Sequence, residues 1–562
     1  MQDAAVCMIR VYVLTTLAMA LLTLASCRSI PTGEPQLSSC SDWAACQERA
    51  TAAAESAGHA QGREQTQHAW LACAGYAHLA AIRAADAAGA QDASSLAVRC
   101  TDQLLFSVLA AQPDDWSPGR RLMGGIPVDV EFRGLSDYLH PPMRIALART
   151  VQIPAAYGGE QQKAGFGVPV VLLAPRCTDQ PLCELLPPEG VFRAATAWIE
   201  VDVANDSAPR LVIANPFAMH SIRVGDYTLP VARNVAAAYA FGAHTSKLPR
   251  LAIWGLLGGH EVGRRAGVYL LDDYDPNKRP LVMIHGLGSS PLIWARLSNA
   301  VWASDELSSR YQVWHVVYQT NAPTLVNRYR IQGYLDEAWK VLDPENDDPA
   351  RQGIVLVGHS MGGVMARMLC VDSGDVLWNA AFLKPPSAVE ADPEDIESVQ
   401  RVFVFAPYPG VRRAIFLATP HRGSPSAKRW FGRLARLLVG RRTPELQSLR
   451  RLALADPPAV RPELRRAYSR SAINSISTLQ VSQPVRRAGE SLMPVAGIHY
   501  HTIAGSLRGR RRSPGDGVVP LESARLEGAS STLILDSDHE IYKDPRAVAE
   551  VVRILEEDLA SN

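Results

Sequence analysis

The sequence lacks an excess of charge of either sign. Its 57 Lys and Arg residues are balanced by 56 Asp and Glu residues, so the net charge is +1 at pH 7. With 47% hydrophobic and 20% charged residues, the composition is that of an ordinary globular protein. This balance gives no sign of nucleic-acid binding, and no nucleic-acid partner is expected. At 562 residues the chain is long for one domain, so two or three domains are expected.

The apolar run near the N-terminus is too short to span a bilayer comfortably. It extends over the 14 residues 11–24, whereas a membrane-spanning helix needs about 20. It ends in L-A-S-C at 24–27, which resembles the lipobox of bacterial lipoproteins. The resemblance implies a signal peptide over residues 1–27 and lipidation of Cys27. Arg28 follows in place of the aspartate that retains lipoproteins in the inner membrane. We therefore predict a lipid-anchored protein of the bacterial cell envelope, on the outer membrane facing the periplasm; a plain secretory signal is the alternative.

Cysteine is scarce, with nine residues in the chain. Four cysteines of the mature chain lie in or beside one Ala-rich segment: Cys40, Cys46, Cys73 and Cys100. In an oxidising periplasm these predict two disulfides whose pairing stays open. Cys177 and Cys183 close a short loop and predict a third disulfide. Cys370 is left over and is expected to be buried.

Two regions precede the part of the chain that carries motifs. Residues 28–118 are rich in Ala with scattered Gly, which favours helical hairpins over strands; no clear 34-residue period repeats. Residues 119–265 contain alternating stretches such as V-D-V-E-F at 128–132, which predict a β-rich module. The role of this module stays open between a spacer, a packing partner and part of a substrate cleft.

Residues 358–362 read G-H-S-M-G between an apolar run at 354–357 and a segment typical of a helix start. A strand, G-x-S-x-G and then a helix is the context of a nucleophile elbow, in which a sharp turn lifts the serine hydroxyl out of a sheet. The flanking glycines relieve crowding in that strained turn. This pattern predicts that Ser360 is a catalytic nucleophile.

A serine nucleophile needs a histidine base and an acid that orients the histidine. After Ser360, strands are expected at 500–504 and 532–535, and each is followed by a loop with a candidate side chain. We assign Asp516 as the acid and His539 as the base, followed by a final helix over about 545–559. The rival acids and bases are Asp536, Asp538, His421, His499 and His501.

An oxyanion hole needs two N–H donors beside the serine. One is expected from Met361, the residue after the nucleophile. The other is expected from the loop H-G-L-G at 285–288, which follows an apolar strand at 280–284. Gly286 and Gly288 allow the backbone to approach a ligand closely, and we assign the N–H of Leu287.

Together, H-G-L-G, G-H-S-M-G-G at 358–363, A-T-P-H-R-G-S at 418–424, D-G-V-V-P at 516–520 and the late His539 resemble the α/β-hydrolase superfamily. Within it they are most similar to bacterial serine lipases and esterases, and to lipase-like deacylases. The resemblance covers about residues 266–562. It implies an α/β fold, a mostly parallel sheet flanked by helices with a helical cap, and a carboxylic-ester hydrolase that needs neither a metal nor an organic cofactor.

The segment before Asp516 is strongly basic. Residues 421–512 contain 19 Arg or Lys against 4 Asp or Glu, a net charge of +15. Within a cap insertion expected over about 425–498, a helix at 428–442 carries apolar side chains on one face: Trp430, Phe431, Leu434, Leu437 and Leu438. This pattern is typical of a lid that lies on an anionic lipid surface, or of an ordinary solvated cap helix. A second insertion, at about 377–409, is expected to contribute to the cap.

The predicted function is hydrolysis of carboxylic esters, lipid-like ones above all, with an ester or lipid substrate and the membrane as partners. An acyltransferase would use the same three residues with an alcohol in place of water. A non-catalytic envelope scaffold is the alternative from a different class, and the complete residue set argues against it.

Overall fold

The computed structural model describes residues 40–139, 141–202, 208–245, 265–425, 443–507 and 514–560. Cys27 and the basic helix expected at 428–442 lie outside these residues and stay predictions. The chain divides into two compact units, one formed by Met1–Cys100, Gly119–Val130 and Ile199–Leu211, the other by Thr101–Pro118, Glu131–Trp198 and Val212–Asn562. Among the described residues, none of the helices is long and apolar enough to cross a membrane. The domain limits expected at 118 and 265 remain predictions.

The Ala-rich segment is helical, as its composition indicates. Its helices are α1 (Trp43–His59), α2 (Arg63–Ile82) and α3 (Ala87–Ala111). The Asp42 side chain caps α1 by accepting a hydrogen bond from the Ala45 N–H at 2.9 Å. Disulfides join Cys40 to Cys46 and Cys73 to Cys100, which confirms two bridges in this group.

The β-rich region begins with a hairpin of β1 (Gly119–Met123) and β2 (Ile126–Arg133), turned by two glycines with positive φ. The remaining elements are β3 (Arg144–Leu147), β4 (Gln162–Lys163), β5 (Val168–Ala174), β6 (Val191–Glu200), β7 (Arg210–Ala214), β8 (Ser221–Val224), β9 (Tyr227–Pro230), β10 (Arg233–Asn234) and α4 (Val235–Thr245). Strand β5 pairs antiparallel with β3 and β6. The third predicted disulfide, Cys177–Cys183, is present after β5.

The C-terminal half is built on a seven-stranded sheet. Its strands are β11 (Gly267–Leu270), β12 (Arg279–Ile284), β13 (Tyr311–Val317), β14 (Ile354–His359), β15 (Val411–Leu417), β16 (His499–Gly505) and β17 (Ser531–Leu535). Their order is β11-β13-β12-β14-β15-β16-β17, with β11 antiparallel and the others parallel. Every residue of β13 and β14 is buried, as expected of parallel strands covered on both faces.

Helices cover both faces of this sheet and form the cap. They are α5 (Ala295–Ala303), α6 (Asp305–Arg310), α7 (Thr324–Leu342), α8 (Met361–Met368), α9 (Val376–Ala381), α10 (Pro393–Phe403), α11 (Pro444–Ala455), α12 (Pro462–Ser469), α13 (Ser475–Thr478), α14 (Pro484–Ala488), α15 (Leu521–Ala524) and α16 (Pro545–Ala560). Alternate residues of each strand enter opposite cores: Val282 and Leu356 pack on one face, Met283 and Val357 on the other. The predicted α/β fold with a helical cap is confirmed.

Candidate active site

Ser360 occupies the single-residue turn between β14 and α8. Its φ of 54° and ψ of −123° are a strained conformation for a residue other than glycine. The turn is held because the Ser360 N–H donates to the carbonyl oxygen of Leu417 at 2.9 Å. The neighbouring strand β15 therefore fixes the position of Ser360 relative to the edge of the sheet.

The glycines around Ser360 are required by backbone contact. A Cβ on Gly358 would lie 2.5 Å from the Cα of Gly363, and one on Gly362 would lie 2.1 Å from the carbonyl oxygen of Ile284. A Cβ on Gly363 would lie 1.9 Å from the hydroxyl of Thr419. The crowding expected from G-x-S-x-G is thus present, and it presses the start of α8 against the ends of β12 and β15.

The structure brings together the three residues expected to act with one another. The His539 Nε2 lies 2.9 Å from the Ser360 Oγ, and the His539 Nδ1 lies 2.7 Å from the Asp516 Oδ2. The other oxygen of Asp516 accepts from the N–H groups of Val518 and Val519 at 2.8 and 2.7 Å. The carboxylate side chain is only 1% exposed, and its three hydrogen bonds hold it in one orientation. Because the carboxylate can only accept a hydrogen bond, the neutral ring carries its proton on Nδ1. The unprotonated Nε2 therefore faces the Ser360 hydroxyl.

Two residues that position these loops were not identified from sequence. The Nε2–H of His359 donates to the carbonyl oxygen of His539 at 2.8 Å, and its ring lies 4.9 Å from that of Tyr542. Gly505 ends β16 so close to the acid that a Cβ there would lie 2.9 Å from the Cβ of Asp516. The only sign of this role in the sequence was that His359 is the first x of G-x-S-x-G.

The predicted oxyanion loop lies directly against the nucleophile. A Cβ on Gly286 would come within 3.0 Å of the Ser360 Cβ, and Gly288 has a φ of 67° that favours glycine. Met361 begins α8, so its N–H has no acceptor inside the helix. Among the described residues, nothing accepts from the N–H of Leu287 or Met361. Both donors are therefore available to an incoming oxygen.

Two other histidines near the serine are neutral at physiological pH. Burial lowers the pKa of His285 to about 4 and, together with repulsion from His539, lowers the pKa of His359 to about 3. The His285 ring is stacked on Tyr318, whose hydroxyl donates to the His285 carbonyl oxygen at 2.6 Å. Neither imidazole adds positive charge beside the nucleophile, and both shape the backbone around it.

Residues 281–551, just under half of the chain, match the model of the alpha/beta hydrolase family. The parallel sheet, the elbow at its centre and the two late loops agree with that match. Residues 281–551 form an α/β-hydrolase domain.

Solved structures similar to this chain are distant, and no curated protein matches it. The mature lipase BlEst2 of Bacillus licheniformis is 18% identical over 51% of this chain and 97% of its own, with a TM-score of 0.27. Lipase 1 of Pelosinus fermentans is 14% identical over 50% and 98%, with a TM-score of 0.28. The rice cell wall degrading esterase LipA of Xanthomonas oryzae is 11% identical over 70% and 91%, with a TM-score of 0.24. Similarity at this level says nothing about the substrate of the α/β-hydrolase domain.

The rival histidines occupy other positions in the α/β-hydrolase domain. His499 is exposed at the start of β16, and His501 contacts the Arg413 guanidinium at 2.6 Å and the Ser531 hydroxyl at 2.8 Å. His421 is 3% exposed, and neither ring nitrogen has a hydrogen-bond partner among the described residues. None of the three contacts Ser360 in the described part of the chain.

The rival acids also point elsewhere. Asp536 and Asp538 are both exposed, and Asp538 accepts from the N–H of Glu540 at 3.0 Å. Asp516 alone among these acids reaches the His539 ring.

The cap of the α/β-hydrolase domain encloses an apolar cavity. It is lined by Val364 and Met368 of α8, Val402 of α10, Leu449 of α11 and the His421 ring described above. Its floor thus includes the helix that starts at the nucleophile. The cysteine that follows α8, Cys370, is a buried free thiol, as expected.

Proposed function

We propose that the chain hydrolyses carboxylic esters through an acyl-enzyme on Ser360. The observation that carries this proposal is the continuous hydrogen-bonded path from the Ser360 hydroxyl through His539 to Asp516, at 2.9 and 2.7 Å. A hydroxyl becomes a strong nucleophile when a neutral imidazole can take its proton as the bond to carbon forms. The tautomer imposed by Asp516 supplies that acceptor.

Each step follows from this geometry. The Ser360 Oγ attacks the ester carbonyl carbon while its proton passes to the His539 Nε2, and the carbonyl oxygen becomes an oxyanion that accepts from the N–H groups of Leu287 and Met361. Collapse breaks the bond to the alcohol, which leaves with the proton from His539. Water then attacks the acyl-enzyme and gives its proton to His539. The second collapse releases the carboxylic acid and returns the proton to Ser360.

A lipid-like ester is the substrate class that the cap favours. The cavity above α8 is lined mostly by apolar side chains, with Arg367, Glu445 and Arg486 also in its lining, and burying an acyl chain against the apolar part gains about 0.8 kcal/mol for each methylene removed from water. Leu449 is 4% exposed in this cavity, whereas Leu454 on the same helix is 54% exposed. We expect Leu449→Trp to slow hydrolysis of p-nitrophenyl dodecanoate more than that of the acetate, and Leu454→Trp to change neither. Equal effects of Leu449→Trp on the two esters would exclude the cavity as the acyl site.

A fluorophosphonate probe tests the nucleophile directly. The purified chain should be labelled, Ser360→Ala should not be, and Ser537→Ala should be labelled like the wild type because Ser537 lies in the loop before the base. Labelling should also fall in His539→Gln, since the hydroxyl would lose its proton acceptor. A wild type that resists the probe, or a Ser360→Ala variant that still reacts, would contradict the proposal.

The location is proposed on the N-terminal sequence alone. A lipid on Cys27 would place the enzyme at the envelope membrane, facing the periplasm. Incorporation of labelled palmitate by bacterial cells expressing the chain, and its loss in Cys27→Ser, is the expected result; a protein that is secreted without lipid would contradict it.

A further inference from the structure

We propose that the chain has a second ligand site, for an organic amine with an aromatic body, in a cavity remote from Ser360. The cavity measures about 400 Å³, within the range of small-molecule sites. All of its lining residues belong to the second compact unit. They come from β6 and the residues just before it, the segment after β7, α4, the segment after β11, α5, Leu292, Ser308 and His315 of β13.

The acidic part of the cavity lies away from the catalytic residues. Asp272 accepts from the N–H of Val313 at 2.7 Å, and Gln312 donates to the Asp275 carbonyl oxygen at 2.9 Å. Both contacts are near the amino end of β13, whereas Ser360 follows the carboxyl end of β14. Strand β12 also separates β13 from β14. No residue of the proposed catalytic set lines this cavity.

The polar lining of the cavity has more acidic than basic side chains. Four carboxylates line it, from Glu189, Asp272, Asp273 and Asp275, against the two cations Arg193 and Lys278. Two of the carboxylates are already paired, Asp273 with Arg193 at 3.2 Å and Glu189 with Arg265.

Asp272 makes no ion pair within 4 Å in the described part of the chain. The charges of Arg193 and Lys278 act on it from farther away, and its carboxylate accepts from the Val313 N–H. Burial raises its pKa to about 6, so a cation entering the cavity would stabilise the ionised form. A protonated amine supplies both the charge and the hydrogen-bond donors.

The remaining walls are aromatic and apolar. The rings of Tyr239 and Trp302 lie 6.1 Å apart, with Phe192 and Phe217 in the same lining. Aromatic faces suit both an aromatic body and the adjacent cation. The Trp302 residue is 9% exposed, so its ring contributes apolar surface to this wall.

Tyramine is the probe, because it carries a protonated amine on an aromatic body. Calorimetry on the full chain should show binding at least about tenfold tighter than that of tyrosol, in which a hydroxyl replaces the amine. Asp272→Asn should remove this difference, because asparagine keeps an oxygen for the Val313 N–H and loses the charge.

Two further variants separate this site from the catalytic one. Ser360→Ala should bind tyramine like the wild type. Ala238→Phe should fill the cavity from α4 and abolish tyramine binding while fluorophosphonate labelling persists. Absence of tyramine binding in the millimolar range would overturn the proposal. Equal affinity for tyramine and tyrosol, or unchanged preference in Asp272→Asn, would also overturn it.

Discussion

Replacing Asp516 with asparagine should abolish most of the activity without unfolding the domain. Asparagine has the shape of aspartate, and its oxygen can still accept from the N–H groups of Val518 and Val519, which lie 2.8 and 2.7 Å from the present carboxylate. Its NH₂ group then faces the His539 Nδ1. A donor at that position favours the tautomer that carries its proton on Nε2. The ring would then present a hydrogen to the Ser360 hydroxyl instead of a lone pair.

The expected loss is large because the wrong tautomer removes the base. In the serine protease triad the same change lowers kcat by about 10⁴, which corresponds to about 5 kcal/mol of transition-state free energy. The hydrogen-bond lengths here, 2.7 Å to the acid and 2.9 Å to the hydroxyl, match that arrangement, so we expect a loss of similar size. Binding of substrate should change little, because Asp516 is buried beneath the histidine.

The assay is the kcat of p-nitrophenyl butyrate hydrolysis at pH 8, with the urea midpoint of each variant as a check on folding. Asp536→Asn is the matched control, since this exposed acid is close in sequence to His539 and should leave kcat unchanged. If Asp516→Asn lost less than about tenfold while folded, the imidazole would not depend on this carboxylate, and the reasoning would be refuted.

Four other changes should alter stability. Gly362→Ala places a Cβ 2.1 Å from a carbonyl oxygen and should lower the free energy of unfolding by about 1–3 kcal/mol or more, whereas Gly333→Ala, in α7 with open space around it, should raise it by about 0.5–1 kcal/mol; urea unfolding measures both. Burial would raise the pKa of Asp558, but hydrogen bonds from Tyr311 and Arg413 outweigh it and hold that pKa below the ordinary value. Its stabilisation is therefore present above the unfolded pKa and lost as pH falls through the folded one, so Asp558→Asn should cost about 3–5 kcal/mol at neutral pH and progressively less in acid. Removing the Cys73–Cys100 disulfide, with its separation of 27 residues, should cost about 3–4 kcal/mol, seen as a lower urea midpoint than that of the wild type.

The elbow and the sheet around it were predictable because their signals are local. An apolar run of strand length, a turn whose glycines are forced by contact, and a helix start are adjacent in the chain, so pattern and spacing suffice. The expected strand at 354–357 extends over 354–359 in the structure, and the one at 532–535 begins one residue earlier. Errors of this size arise because strand ends depend on the neighbouring strand.

Which histidine lies beside Ser360 could be identified only from the three-dimensional structure. His421, His501 and His539 each lie in or follow a strand, and spacing alone could not exclude the first two. The structure separates them because β15, β16 and β17 are neighbours in the sheet, and it is the loop after β17 that places a histidine, His539, against Ser360. The hydrogen bond from His359 to the His539 carbonyl oxygen holds this loop in place, and it connects residues 180 positions apart.

Disulfide pairing depended in the same way on helix packing. Cys73 lies in α2 and Cys100 in α3, so their pairing follows from the contact between two helices and not from their distance in sequence. Cys40 and Cys46 are only six positions apart, beside the start of α1, so several local backbone conformations would allow a bridge between them.

The remote cavity was invisible in the sequence for a different reason. Its aromatic and aliphatic wall residues are the types that fill any core, and no pattern distinguishes a residue that faces a void from one that faces a neighbour. The exception is D-D-Y-D at 272–275, directly after an apolar strand, because carboxylates are rarely buried unless they are paired. Asp273 is paired with Arg193, and Asp272 is not paired within the described chain. A carboxylate that is removed from water without an ion-pair partner lowers the stability of the fold. It is retained when it supports function or when the fold is stable enough to tolerate the loss. If Asp272→Asn raises the unfolding midpoint while removing the preference for an amine, the charge is retained for binding; a higher midpoint with no change in binding would leave tolerance as the explanation.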